Sequence, residues 1–108
     1  MIEKFARWFC VTVAAAFSAV AGSVWAADAS EGRRIYVEVC AACHTNGVVG
    51  APRYGVRSDW EPRVLRGRKE LMVSVLKGRG AMPPKGGNAS VTDAQAAAAT
   101  DYILAGVR

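Results

Sequence analysis

Apolar residues in this chain recur at the three-to-four-residue spacing of amphipathic helices, and nowhere in the two-residue alternation of a half-buried strand. Across 30–42, Gly32, Ile35, Tyr36, Val39 and Cys40 fall at i, i+3, i+4, i+7 and i+8, one stripe of a helix. Asp28 or Ser30 could cap its start, with Glu31 favourable in the first turn. A second helix is predicted over 93–105, rich in alanine, opened by Ser90-Val91-Thr92-Asp93 and closed by Gly106. Its residues Ala98, Ala99, Tyr102 and Ile103 share a face. Between these two, Ser58-Asp59-Trp60-Glu61 resembles a capping box before a short helix reaching about Arg66, with Pro62 tolerable in its first turn. A longer helix over 68–77 would bury Leu71, Met72, Val75 and Leu76 and stop at Gly78. The stretches 45–57 and 78–89, dense in Gly, Pro and Asn, read as loops. The pattern therefore predicts an all-α protein of about four helices. Gly32 inside the first helix costs about 1 kcal/mol relative to alanine, so it calls for a reason. Small residues beside Tyr102 on the last helix suggest that the terminal helices cross there; the alternative is a glycine in a frayed end.

The chain has 108 residues. Lys4 and Arg7 followed by an apolar run from Trp8 to about Ala21, then Val24-Trp25-Ala26, have the form of a secretory signal peptide, so residues 1–26 are expected to leave and Ala27 to become the first residue. Cys10 would leave with them. An uncleaved anchor is the alternative, since Trp8 to Ala27 is about the length of a membrane span, although its centre is rich in Ala, Ser and Gly. What remains, residues 27–108, is one small domain. Chains of that size seldom bury enough apolar surface unaided. Those residues carry 12 Lys and Arg against 8 Asp and Glu, a dispersed surplus without a dense basic run, which disfavours nucleic-acid binding.

The chemistry concentrates at Cys40-Ala41-Ala42-Cys43-His44. Two thiols separated by two residues can reach the two vinyl positions on one edge of a porphyrin, and the adjacent imidazole can then meet its iron. A redox disulfide or half of a zinc site are the other uses of such a pair. Zinc is poorly served, because His44 is the chain's single histidine. With haem held covalently, its large apolar plane would supply the missing core, and folding would be coupled to attachment. A sixth iron ligand is offered by Met82, set in the loop 78–87 between flexible glycines and the stiff Pro83-Pro84 pair. Its thioether would favour ferrous iron. Met72 competes, but it lies mid-helix on an apolar stripe where methionine is ordinarily core. No Ser-His pair, carboxylate dyad or distal histidine suggests an enzyme.

Taken together, Cys40 to His44, the Gly50-Ala51-Pro52 turn, Trp60, the loop Arg79 to Gly87 and the C-terminal helix with Tyr102 make the chain resemble a class I cytochrome c, most closely the small bacterial cytochrome c5 family. The resemblance spans residues 27–108. It implies an all-helical fold wrapped around one covalent haem c held through Cys40 and Cys43, with crossing terminal helices. His44 and Met82 would be the axial ligands, Trp60 would lie at the cofactor, and the Pro52 carbonyl would accept the free ring N–H of His44. It implies a monomeric, periplasmic one-electron carrier serving redox proteins, among them a membrane-associated oxidase or reductase. Some cytochrome c5 proteins carry an extra cysteine pair that this chain lacks. Arg53, Arg57, Arg63, Arg66, Arg68, Lys69, Arg79 and Lys85 fall in the section expected around the haem edge and could steer the domain toward acidic partner surfaces. Two competing readings remain: a sixth site that opens to a small ligand, and a haem subunit of a larger oxidoreductase.

Overall fold

The computed structural model describes residues 21–108, with side chains from Asp28 onward. Lys4, Arg7, Cys10 and the start of the apolar run lie outside the described residues. The first helix, α1 (Ala21–Ile35), continues without a break through one π turn at Tyr36–Cys40 into α2 (Ala41–His44). Three helices follow: α3 (Arg57–Val64), α4 (Arg68–Lys77) and α5 (Asp93–Ala105). Short 3₁₀ turns sit at Val48–Gly50 and Pro84–Gly87. Among the described residues there is no strand, only an isolated bridge between Arg79 and Met82. No described helix is long and apolar enough to cross a membrane.

α1 and α5 cross where the small residues predicted it. A β-carbon on Gly32 would stand 2.8 Å from the Ala98 carbonyl carbon and 3.2 Å from Tyr102 Cβ, so only glycine permits this approach. Polar bonds lock the same crossing. Thr92 caps α5 by accepting from the Gln95 amide N–H at 3.1 Å, the Gln95 side chain accepts from the Thr92 N–H at 2.9 Å, and its Nε2 donates across to Glu31 at 3.0 Å. Arg68, at the head of α4, forks onto Asp101 of α5 at 2.7 and 2.9 Å.

The stripe on α1 behaves as its spacing requires: Gly32, Ile35 and Tyr36 are buried, Val39 and Cys40 half-buried. In the π turn the Ala41 N–H reaches back five residues to the Tyr36 carbonyl. Two apolar clusters form the core, one of Tyr36, Trp60, Leu71, Ile103 and Leu104, the other of Ile35, Val91, Ala96 and Ala99. Tyr36, Tyr54 and Tyr102 pack ring on ring at centroid separations of 5.0, 5.2 and 5.4 Å, which joins the latter two to the first cluster.

Several local expectations need correction. α1 already includes residues 21–27, so neither Asp28 nor Ser30 caps it. Ser58 does not cap α3, whose N-cap is Val56, and Pro62 therefore sits in its second turn. The Asp59 carboxylate points back to Arg53 instead. On α4 only Leu71 is buried; Met72, Val75 and Leu76 are half-buried.

Candidate cofactor site

The continuous run from α1 to α2 carries Cys40, Cys43 and His44 into the wall of a cavity of about 390 Å³, which the loop bearing Met82 also lines. Ile35, Val75, Ala96, Ala99 and Ile103 make much of its lining apolar. The alanines leave the space that larger side chains would fill. Cys40 is half-buried and Cys43 exposed, and the two are not joined. Burial pushes the Cys40 thiol up, which suits a redox-active thiolate poorly. Among the described residues no group of three His, Cys, Asp or Glu is placed to hold a metal ion.

His44 is 8% exposed. Its Nδ1–H donates to the Pro52 carbonyl at 2.8 Å, leaving Nε2 as the nitrogen available to iron. The His44 carbonyl accepts from the Tyr54 N–H at 2.7 Å, so the loop folds back over the helix end. Trp60 stacks near the imidazole, with centroids 5.8 Å apart and planes at 25°, and its Nε1–H donates to the Arg53 carbonyl at 2.9 Å. Neighbouring carbonyls, those of Pro52 and Arg53, thus fix both rings.

In the same cavity wall, Met82 is set by a tight turn in which Arg79 and Met82 exchange both backbone bonds at 2.9 Å, with Gly80 at φ 56°. The loop closes on Gly78, whose absent side chain would meet the Met82 carbonyl at 2.8 Å. Lys85 anchors the loop to Asp93 at 3.0 Å. Met72 is not part of the cavity wall. One imidazole with its second nitrogen already bonded, one thioether and two thiols around an apolar slot are a donor set that fits a covalently held haem.

The sequence brought Cys40, Cys43, His44, Pro52, Trp60 and Met82 forward, and all six line this cavity. The basic residues divide. Arg63, Arg66, Arg79 and Lys85 line the cavity, whereas Arg53, Arg57, Arg68 and Lys69 do not. Arg53 and Arg68 are committed to Asp59 and Asp101. Two features escaped sequence reading: the Arg53–Asp59 pair behind His44, and Val49. The latter lines the cavity while 80% exposed, and holds φ 52°, ψ 35°. A β-branched residue in the left-handed region is an outlier.

Residues 27–103 match the family model described as "Cytochrome C oxidase, cbb3-type, subunit III". The chain is 38% identical over 102 residues to cytochrome c-555 of Chlorobaculum tepidum, covering 91% of this chain and 94% of that one. It is 36% identical over 73 residues to cytochrome c5 of Azotobacter vinelandii, covering 66% and 88%. A solved cytochrome c structure described as "Crystal structure of electron transfer complex of nitrite reductase with cytochrome c" superposes with a TM-score of 0.68 at 40% identity, covering 72% of this chain and 95% of that one. With its helical fold and the six residues gathered at one cavity, the chain belongs to the small class I c-type cytochromes, c5-like electron-transfer proteins that carry covalently bound haem c and are not enzymes.

Proposed function

We propose that residues 27–108 hold a single haem c through thioethers from Cys40 and Cys43, with His44 and Met82 as axial ligands, and that the domain shuttles single electrons between redox proteins in the periplasm after removal of residues 1–26. The observation that carries this reading is that His44, its Nδ1 already bonded to Pro52, and Met82 line one apolar cavity with both cysteines. When bound, haem supplies a ferric/ferrous couple. The chain supplies the rest. Pro52 and Trp60 hold the imidazole in one orientation, the turn at Arg79–Met82 presents the thioether, and the apolar wall excludes water from the iron.

The partner-facing surface follows from the same cavity. Among the described residues Arg63, Arg66 and Arg79 have no ion-pair partner, and they share the cavity with exposed Val48 and Val49. An apolar tip beside positive charge suits a partner with an acidic rim around an apolar recess. The solved relative's complex with nitrite reductase supports an oxidoreductase as that partner.

The test is the mass and redox titration of the exported protein. A chain starting at Ala27 that gains the mass of one haem, and that titrates reversibly with one electron, is the expected result. A haem removable by acidic solvent extraction would refute thioether attachment. A chain retaining residues 1–26 would refute cleavage.

A further inference from the structure

The His44 hydrogen bond is half of a longer arrangement. The Pro52 carbonyl that accepts from His44 Nδ1–H at 2.8 Å belongs to the same peptide group as the Arg53 N–H, and that N–H donates to the Asp59 carboxylate at 3.1 Å. One planar amide therefore links a carboxylate on α3 to the imidazole at the end of α2. The Arg53 side chain closes on the same carboxylate, with Nε at 2.7 Å and a second guanidinium nitrogen at 3.2 Å. Trp60, the residue after Asp59, returns its Nε1–H to the Arg53 carbonyl. The Pro52–Arg53 segment is thus held on both sides, and Asp59 is the group at which the bonds converge.

We propose that Asp59 is a positioning residue for the axial histidine, acting through the Pro52–Arg53 peptide group. Hydrogen bonds in a chain polarise one another, so a carboxylate on the amide N–H makes the carbonyl at the other end a stronger acceptor. A stronger acceptor on Nδ1–H draws the imidazole toward imidazolate character and makes Nε2 a better donor to iron, as a directly bonded carboxylate does for metal-bound histidines. Better donation favours the ferric state, so the device lowers the reduction potential. The Arg53 bonds hold the Asp59 carboxyl down at about 2, which keeps it charged at neutral pH. The inference rests on His44 being the axial ligand.

Asp59→Asn and Asp59→Glu test it in the holoprotein, with three readouts: reduction potential, the chemical shift and exchange rate of the His44 Nδ1 proton in the reduced state, and melting temperature. Asp59→Asn is expected to raise the potential, move the Nδ1 proton upfield and speed its exchange, with Asp59→Glu restoring all three toward the parent. A raised potential with an unchanged Nδ1 proton would mean a charge acting through space and would overturn the proposal. So would a lowered melting temperature with the other two unmoved, which marks a structural ion pair only. A parent protein whose His44 ring protons lack haem-induced shifts would refute axial ligation itself, a separate failure from that of the Asp59 relay.

Discussion

Replacing Gly32 with alanine sets two effects of known size against each other. In an exposed helix interior the change is stabilising by about 1 kcal/mol, because glycine is the poorer helix former. At the α1–α5 crossing the added methyl would stand 2.8 Å from the Ala98 carbonyl carbon and 3.2 Å from Tyr102 Cβ, and it would press on the Ala98 carbonyl oxygen. Carbon atoms pack at roughly 3.5–4.0 Å, so the helices must part by the better part of an ångström. The obstacle is backbone, which cannot swing aside as a side chain would. Overpacking of this kind costs about 1–3 kcal/mol, and a crossing locked by Gln95 and Glu31 places it near the upper end. The net expectation for Gly32→Ala is a loss of about 2 kcal/mol, or roughly 10 °C in melting temperature for a domain this small. Thermal denaturation followed by far-ultraviolet circular dichroism measures it. A melting temperature equal to or above the parent's would show that α1 and α5 do not pack as closely as described.

Other outcomes follow from the same geometry. Cys40→Ala with Cys43→Ala should leave a largely unfolded chain, since the cavity wall has no other filling; a cooperative native-like melt of that variant would refute the coupling of folding to haem attachment. Asp59 has its ordinary value of 3.8 lowered to about 2 by hydrogen bonds from Arg53, so its contribution to stability is present above pH 4 and fades as the pH falls toward 2. Chemical denaturation across that range should show a steeper acid loss in the parent than in Asp59→Asn. Val49→Gly should relieve about 1 kcal/mol of left-handed strain and raise stability, yet slow electron exchange with a protein partner, as stopped-flow mixing would show. Equal rates for the two proteins would remove Val49 from the docking surface.

Most of the framework was legible because it rests on local rules. α4 and α5 run over the predicted residues, since a glycine or cap marks their ends, and Gly32 pointed to the crossing because a glycine on an apolar stripe is costly unless another helix passes close by or the helix end frays there. Cys40, Cys43, His44 and Met82 were legible for a different reason: the CAACH spacing and the glycine- and proline-bounded Met82 carry their chemistry in short motifs, whereas Pro52 and Trp60 came forward only through the family resemblance. The misreadings involve choices between partners. Asp59 stood in a plausible capping box, but Arg53, six residues earlier, offers it a backbone N–H and a guanidinium, and that pairing depends on how the loop 45–56 folds. The bond from Gln95 to Glu31 joins residues 64 apart, and the tyrosine trio draws on three separate segments. Val49 gave no signal, because a valine in the left-handed region runs against its own preference.

The most direct measurement is the visible absorption spectrum of the exported protein, oxidised and reduced, with and without carbon monoxide, for the parent and for Met82→Ala. A low-spin ferric spectrum with a sulfur-to-iron band that disappears in Met82→Ala, and a reduced parent indifferent to carbon monoxide, is the expected result for a His44/Met82 electron carrier. A high-spin ferric parent, or rapid carbon monoxide binding by it, would contradict a closed coordination sphere, and a protein without covalent haem would contradict the site itself.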